Sequence, residues 1–411
     1  MLSRLVFGLG LLSATALVHP ALAADARTLQ IFVSKDAQSL TLYDGADAVA
    51  TSKVSTGKSG HTTPSGIFSV IEKRKYHESN LYSAAPMPFM QRLTWSGIAL
   101  HESDSVPNYP ASHGCVRLPA AFAKQLYTMT QMGVPVVITD AELTPEPIDH
   151  PTLFRPDMPE PPALLSDAAL RPAIGQAPIQ VAMNDVALPS AESPAVKTPA
   201  NDTPIRILIT RRSQREEVID LQTYLNELGF VVGEPDGLLG SATLQAISDF
   251  KLRYSVEPTA DKSPMSDALI KAVYAAADKG TPPNGVIMIR QGFQPVLEAP
   301  ISIANPGLAL GTHFFFVHNV DFETGSADWM GATLPDTLSR ATMTRLGISS
   351  LESSIISGTP ITNALSRIDI PEETRRKIDS MLTTGSTLTI SDTGLGTETG
   401  KGTDFITVTK G

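Results

Sequence analysis

The segment IALHESDSVPNYPASHGCVRLP, from Ile98 to Pro119, is the stretch that points most directly to a fold. It holds Cys115, the only cysteine of the chain, with His113 two residues before it and His101 before a loop of turn-forming residues. A thiol is a nucleophile only as the thiolate, which a nearby imidazole or backbone N–H groups stabilise. Gly114 lets the backbone approach a ligand closely, as a site that binds an oxyanion requires. The segment therefore predicts a cysteine nucleophile assisted by histidine.

Two other roles for Cys115 stay open when only residue types are considered. A free cysteine is commonly a small buried hydrophobe. The set His101, His113 and Cys115 could instead hold zinc with an open coordination position, although its spacing matches no usual zinc pattern.

The first 23 residues have the features of an export signal. Arg4 supplies a positive start, an apolar run follows to Val18, and Ala21-Leu22-Ala23 fits the small-x-small cleavage pattern. A membrane anchor would need about 20 apolar residues, whereas His19 and Pro20 end a shorter run. We therefore predict a signal peptide over residues 1–23, a periplasmic mature protein and no transmembrane segment in it. An unpaired cysteine in an exported protein also suggests a reactive thiol.

The overall charge argues against one class of function. The chain has a formal net charge of −10 and carries no long basic tract. Nucleic-acid binding, which needs a basic surface, is therefore not expected.

Short alternating apolar runs separated by turn residues fill the segment around the cysteine. They begin with Leu29, Ile31 and Val33 and recur to Val70, with turns at Asp44-Gly45 and Pro64-Ser65-Gly66. A helix from Pro119 and a last strand ending at Thr139 follow. Residues 24–141 are predicted to form one mostly β domain.

Beyond this domain the residue composition and the hydrophobic pattern change three times. Residues 142–204 are rich in Pro and Ala and are predicted to be a linker. Residues 205–280 contain three short amphipathic helical patterns, the first of them carrying Leu221, Leu225 and Leu228 on one face. Residues 281–411 return to the β pattern.

The last segment aligns with the first domain without gaps at both ends. Setting Ile287 against Leu40 matches Phe315 to Phe68, and setting Ile370 against Leu118 matches Gly385 to Gly133. We therefore interpret residues 281–411 as an internal repeat of the first domain. The second alignment puts Arg367 at the position of Cys115 and Leu365 at that of His113, so this copy is expected to be degenerate and inactive.

The residues Ser112 to Leu118 (SHGCVRL), an upstream histidine at a strand end, and the pattern STGK…TPSGIF from Ser55 to Phe68 resemble the L,D-transpeptidase catalytic domain of the YkuD type. The resemblance implies a mostly β fold. It also implies cleavage of the bond between meso-diaminopimelate or L-lysine and D-alanine in a peptidoglycan stem, with transfer of the acyl group to an amine.

Carried over residue by residue, the resemblance implies three catalytic residues and three supporting ones. Cys115 would be the nucleophile, His101 the proton acceptor and donor, and His113 a support for the thiolate. Ser112, Gly114 and Arg117 would shape the oxyanion and substrate-binding site, although a salt bridge that pins the loop is an equally good role for Arg117. The loop between His101 and Ser112 is shorter than in the commonest form of the motif.

The helical segment resembles a small three-helix peptidoglycan-binding domain. The residues that carry this resemblance are Leu221-Gln222, Leu228-Gly229-Phe230 and Asp236-Gly237-Leu238-Leu239-Gly240. An anonymous helical spacer is the alternative, because leucine periodicity alone is common.

The predicted protein is thus multidomain, with a mostly β catalytic domain, a small all-α peptidoglycan-binding domain and a C-terminal β-rich degenerate repeat. The predicted function is a wall-associated L,D-transpeptidase acting on tetrapeptide stems, with no cofactor and no metal. Its acyl acceptor is a stem peptide, an outer-membrane protein amine, or water, which would make it an L,D-carboxypeptidase. The rival hypothesis is a non-catalytic peptidoglycan-binding protein.

Overall fold

The computed structural model describes residues 27–79, 84–157, 203–256, 263–351 and 358–410. The predicted signal peptide over residues 1–23 and residues 158–202 of the predicted linker lie outside the described residues.

The first domain is built from two sheets and a helix, and this confirms the predicted mostly β domain. Its elements are β1 Leu29–Ser34, β2 Ser39–Asp44, β3 Asp47–Lys53, β4 Ser65–Ser69, β5 Glu72–Arg74, β6 Met90–Arg92, β7 Ala99–Glu102, β8 Val116–Leu118, α1 Ala120–Met129 and β9 Pro135–Thr139. In the larger sheet, β4, β9, β1, β2 and β3 are adjacent in this order. The strand β1 pairs in parallel with β9 and antiparallel with β2. All six residues of β1 are buried, since both faces of this central strand are covered.

The smaller sheet has the order β5-β6-β7-β8 and carries the predicted active-site segment. Its last two strands run parallel, with Leu100 opposite Val116 and His101 opposite Arg117. Leu100, Val116 and Leu118 join the core of the first domain together with Leu126 of α1. The chain on either side of Cys115 is therefore held on a packed scaffold.

The beginning of the predicted linker is structured, which corrects the prediction of a separate linker from residue 142. The strand β10 (Glu146–Ile148) pairs with a strand of the second large sheet. Leu153 and Phe154 are buried in the core of that sheet, and the Trp329 indole N–H donates to the Phe154 carbonyl at 2.9 Å. Burial of these apolar side chains stabilises the segment against the second sheet.

The next strand, β11 (Ile205–Arg211), is followed by the helices α2 (Gln214–Glu227), α3 (Ser241–Arg253) and α4 (Asp267–Ala276). Ser213 and Glu216 form a reciprocal capping box that starts α2. The three helices share a core of buried apolar side chains: Leu221, Leu225, Val232, Ala246, Ile247, Phe250, Leu269 and Val273. The predicted helical region is thereby confirmed.

The strand β11 belongs to a sheet and not to the helical domain in which residues 205–280 were placed. It pairs along its whole length with β12 (Gly285–Gln291), from Ile205 opposite Gln291 to Arg211 opposite Gly285. The helical domain is therefore inserted between two paired neighbouring strands, and we correct its first residue from Ile205 to one beyond β11.

The rest of the chain completes the second large sheet. Its remaining elements are β13 Gln294–Ile303, β14 Thr312–Asp321, β15 Ser326–Leu334, α5 Arg340–Arg345, α6 Pro360–Ser366, β16 Ile368–Asp369, α7 Glu372–Asp379 and β17 Thr387–Ser391. The order of this sheet is β10-β15-β14-β17-β11-β12-β13-β16. Within it, β14-β17-β11-β12-β13 has the same order and the same pairing directions as β4-β9-β1-β2-β3 of the first sheet.

The two large sheets pack against each other. Phe32 and Val137 of the first sheet share a buried cluster with Phe314, Phe316 and Met330 of the second. The last strand, β18 (Thr407–Lys410), then leaves the second sheet and pairs antiparallel with β4. The end of the chain thus belongs to the first sheet, which corrects the prediction that residues 281–411 are one separate domain.

Among the described residues, none of the helices has the length and apolarity needed to cross a bilayer.

Candidate active site

Cys115 lies directly before β8, and His101 lies on the neighbouring strand β7. The strands are parallel, with His101 opposite Arg117, and alternate residues of a strand point to the same face. Cys115 and Arg117 therefore share one face of the sheet with Ala99 and His101. This register makes His101 a diagonal neighbour of Cys115.

The turn before Cys115 is fixed by the hydroxyl of Ser112. This buried hydroxyl donates to the Cys115 carbonyl at 2.5 Å and accepts from the Gly114 N–H at 3.1 Å. Gly114 has a φ of +118°, and a Cβ there would lie 2.9 Å from the Cδ1 of Ile98, so only glycine fits. The structure thus brings Ser112 and Gly114 together with Cys115. The Gly114 N–H is engaged within the turn by the Ser112 hydroxyl.

Thr63 joins this turn to the STGK loop and was not among the predicted site residues. Its hydroxyl accepts from the Gly57 N–H at 2.8 Å and donates to the Gly114 carbonyl at 2.7 Å. The side chain is only 1% exposed. The signal was present in the pattern STGK…TPSGIF, in which Thr63 is the threonine before the proline.

Cys115 is partly exposed as a residue, and its thiol lies between polar backbone groups and apolar side chains. Its Sγ donates to the Gly97 carbonyl at 3.4 Å, and it packs against Met87, Met90 and Ala99. Burial raises the pKa of the thiol, against the opposing effects of a backbone hydrogen bond from Ala99 and of two nearby arginines. The resting Cys115 thiol is therefore neutral near pH 7 and would need a base to react as a thiolate.

His101 is placed and protonated as such a base requires. Its Nδ1 lies 2.7 Å from the Glu102 carbonyl oxygen. Because a carbonyl can only accept, Nδ1 carries the hydrogen and Nε2 keeps its lone pair. Burial lowers the pKa of His101 to about 4, so the imidazole is neutral near pH 7 and able to take a proton.

His113 occupies a different environment from His101. Its side chain is exposed, and its ring centroid lies 4.7 Å from that of His61. Desolvation lowers the pKa of His113, and the positive charges of Lys58 and Arg117 act in the same direction. His113 thus lies at the mouth of the site within a group of basic side chains.

Arg117 is held by its backbone in two strand pairings. It faces His101 across the parallel strands, and its N–H and carbonyl both bond to Ser55. In the part of the chain that the structure describes, Arg117 takes part in no salt bridge. The salt-bridge role for Arg117 therefore finds no support among the described residues.

The zinc alternative also finds no support. Across residues 27–79, 84–157, 203–256, 263–351 and 358–410, no group of three or more His, Cys, Asp or Glu side chains is placed to hold a metal ion. His101, His113 and Cys115 are therefore not arranged as a ligand set.

Two segments of the chain match known family models. Residues 29–138 match the model described as L,D-transpeptidase catalytic domain, and residues 214–260 match that of a peptidoglycan-binding domain. No curated protein matches the chain.

Solved structures of L,D-transpeptidases are similar to part of the chain. The chain has 22% identity to an L,D-transpeptidase from Mycobacterium smegmatis, with 28% of this chain and 59% of that chain covered and a TM-score of 0.26. The values for the L,D-transpeptidase from Xylanimonas cellulosilytica are 29% identity, 27% and 59% coverage and a TM-score of 0.26. For the L,D-transpeptidase from Stackebrandtia nassauensis they are 26%, 27% and 54%, and 0.25.

The chain thus spans less than two thirds of the length of these structures. By the family models that they match, residues 29–138 are similar to an L,D-transpeptidase catalytic domain and residues 214–260 to a peptidoglycan-binding domain.

Proposed function

We propose that the protein is a peptidoglycan L,D-transpeptidase that works through a thioester on Cys115. One observation carries this proposal: the thiol of the partly exposed Cys115 lies diagonal to a buried neutral imidazole whose tautomer leaves Nε2 as the base. This is the arrangement that activates a cysteine nucleophile for acyl transfer.

In the first half-reaction, His101 Nε2 takes the thiol proton as Sγ attacks the carbonyl that precedes D-alanine in a tetrapeptide stem. The tetrahedral intermediate collapses when its C–N bond breaks and the imidazolium gives the proton to the departing amine. D-alanine leaves, and the stem remains as a thioester on Cys115. A base whose pKa lies below neutrality is free to accept the proton and returns it readily.

In the second half-reaction, an amine attacks the thioester and loses its proton to His101. The C–S bond breaks, and the proton returns to the sulfur. A stem-peptide amine gives a cross-link, and an amine of an outer-membrane protein gives an attached protein. Water in the same role makes the enzyme an L,D-carboxypeptidase.

The basic groups at the mouth of the site suit a substrate with carboxylates. Lys58 and Arg117 both act on His113 as positive charges, while the chain as a whole has a net charge of −10. A local positive field in an acidic protein favours an anionic ligand. We assign Arg117 to a carboxylate of the stem peptide, and His113 to support of the loop that carries Cys115.

We also propose that the second large sheet is a degenerate copy of the first. Five strands have the same order and directions in both sheets, and Ser302 faces Asp369 as Ser55 faces Arg117. At the position of Cys115 this copy has Arg367, whose buried guanidinium donates to the carbonyls of Ala304, Asn305, Leu308 and Ala309. A guanidinium cannot form a thioester, so this copy serves binding or positioning.

The remaining features agree with work at the cell wall. The peptidoglycan-binding domain supplies a second contact with the polymer, and the sequence of residues 1–23 is that of an export signal. We therefore propose a periplasmic, wall-associated protein.

The test is acylation of the purified full chain by a carbapenem, located by mass spectrometry, together with release of D-alanine from a tetrapeptide stem. We expect one adduct on Cys115 and release of D-alanine, with both lost in Cys115→Ala while its melting temperature stays close to that of the wild type. Residual D-alanine release by Cys115→Ala would refute the mechanism. A wild-type protein that neither forms the adduct nor releases D-alanine would favour the non-catalytic wall-binding protein.

The products separate the possible acceptors. A cross-linked dimer of stems identifies a transpeptidase, and a free tripeptide without dimer identifies a carboxypeptidase.

A further inference from the structure

The end of the chain returns to the first domain and contacts the turn beside the nucleophile. Residues 394–410, here named the C-terminal segment, end in β18, which extends the first sheet next to β4. Ile406 of this segment is fully buried in the core of the first domain. The segment is therefore an integral part of the catalytic domain, although almost the whole second sheet separates the two in sequence.

Before it reaches the sheet, the C-terminal segment forms a loop closed on itself. The Gly396 N–H donates to the Ile406 carbonyl at 2.9 Å. From the second sheet, the Arg290 guanidinium donates to the carbonyls of Thr403 at 3.0 Å and Gly400 at 2.8 Å. The loop is thus held at its base and from the side.

This loop supports the turn between β6 and β7. A carboxylate oxygen of Glu398 accepts from the Ser96 N–H at 3.3 Å. A Cβ built on Gly402 would lie 3.7 Å from the Cζ2 of Trp95, so the indole lies against that glycine. Trp95 and Ser96 are the two residues that directly precede Gly97.

Gly97 is the residue whose carbonyl accepts from the Cys115 thiol, at 3.4 Å. Its own N–H donates to the Thr94 carbonyl at 3.2 Å, and the Thr94 hydroxyl accepts from the Ile98 N–H at 3.0 Å. The turn is therefore small and internally bonded, and a shift of Ser96 is carried to the Gly97 carbonyl.

We propose that the C-terminal segment positions the nucleophile: through Glu398 it holds the turn whose Gly97 carbonyl fixes the orientation of the Cys115 thiol. Glu398 is a positioning residue, since it touches neither the sulfur nor the substrate. Arg290 extends the same chain of contacts to the second sheet, which thereby acquires a role in the catalytic geometry of the first domain. The inference rests on the proposed acyl-transfer function for its consequence in catalysis.

The consequence for the thiol follows from the groups around the sulfur. The Gly97 carbonyl accepts from the neutral thiol only, whereas the backbone hydrogen bond from Ala99 favours the thiolate. Ala99 is part of β7 and stays in place when the turn loosens. The charged or titratable groups facing the sulfur from the packed strands are Arg92, His101 and Arg117, and none of them is altered by a change at Glu398.

The test compares Glu398→Ala with Glu398→Gln in the full chain. Both variants remove the carboxylate charge, but the amide oxygen of glutamine can still accept from Ser96. Glu298→Ala, at an exposed glutamate of β13, controls for the loss of a surface charge. Because Cys115 is the only cysteine, alkylation by iodoacetamide reports on this thiol alone.

We expect Glu398→Ala to shift the alkylation profile to lower pH and to slow carbapenem acylation about fivefold, the effect of losing one solvent-accessible hydrogen bond. Alkylation needs no alignment of the thiol, whereas acyl transfer does, so the two readouts move in opposite directions near neutral pH. Glu398→Gln and Glu298→Ala should behave like the wild type.

Three results would overturn the proposal: an unchanged alkylation profile in Glu398→Ala, equal effects of alanine and glutamine at this position, or parallel losses of both rates with a lower melting temperature. The alkylation arm needs no peptidoglycan substrate. It therefore decides the positioning role even when the wild type shows no acyl transfer, a result that counts against the proposed function alone.

Discussion

Removal of the Thr63 hydroxyl should damage both the stability and the catalytic loop of the first domain. Thr63→Val keeps the shape of the side chain but leaves the Gly57 N–H and the Gly114 carbonyl without their partner, at a site that is only 1% exposed. A buried polar group left without a hydrogen bond costs about 1–3 kcal/mol. For two such groups, allowing for partial relaxation, we expect the free energy of unfolding to fall by about 2–4 kcal/mol.

The same change should slow the chemistry, because the Gly114 carbonyl is one residue from the nucleophile. If half of the lost energy appears as misplacement of the turn, the rate of acylation falls about 5- to 30-fold, at roughly 1.4 kcal/mol for each factor of ten.

The assay combines urea unfolding, followed by tryptophan fluorescence, with the rate of carbapenem acylation measured by mass spectrometry. Thr63→Ser is the matched control, since it keeps the hydroxyl and loses only a methyl group. It should lose less than about 1 kcal/mol of stability and less than about threefold in rate. A Thr63→Val protein that unfolds at the wild-type urea concentration and acylates at the wild-type rate would show that the contact between the two loops contributes nothing.

Three further outcomes are expected. His101→Gln should slow thioester formation by about 10²- to 10⁴-fold, as loss of a general base does. His113→Gln, at an exposed residue, should slow it by less than about tenfold. Acylation rates from stopped-flow measurements would reverse the assignment if His113→Gln were the slower variant. Burial lowers the pKa values of His101 and His313 to about 4, so the unfolded chain binds more protons than the folded one between about pH 6.5 and pH 4. The free energy of unfolding should therefore fall with acidification across this window, by up to about 3 kcal/mol for each histidine. Urea titrations of His313→Gln should show a shallower fall than those of the wild type. Arg367→Ala should lower the free energy of unfolding by about 3 kcal/mol, since it strips donors from four carbonyls, and a loss of less than about 1 kcal/mol would contradict the structural role of this guanidinium.

The parts of the fold that the sequence predicted well are those specified by local patterns. Alternating apolar residues and turn glycines mark the strands of the first domain, and the leucine spacing from Leu221 to Leu228 marks a helix. The role of the segment around Cys115 could be predicted for the same reason, since the motif, Cys115 and His101 lie within one short stretch.

Contacts made at long range were not predictable in this way. The alternation of Ile205, Ile207 and Ile209 is typical of a strand, but it does not indicate the partners of that strand, which are β12 and β17. Phe154 is buried through a partner in β15. The strand Thr407–Lys410 finds its place only because β4 offers an open edge.

Within the site, the sequence did not reveal that one histidine is buried and the other exposed. The register of β7 against β8 makes His101 a buried neighbour of the nucleophile, while the turn fixed by Ser112 points His113 outward to His61. Both follow from backbone geometry that residue types do not encode.

The insertion of the helices between β11 and β12 has a mechanical consequence. A module on a single linker rotates freely, so its orientation relative to the rest of the protein is not fixed. This module leaves the sheet at Arg211 and re-enters it at Gly285, and these two residues are opposite each other in the same ladder. Arg212, directly after β11, is further bonded to Asp220 of α2, so the first exit is stiffened. If the module binds the wall polymer as proposed above, tension on that polymer reaches the second sheet through two adjacent points of attachment, which together oppose rotation of the module. A bound polymer would then approach the rest of the molecule within a restricted range of orientations.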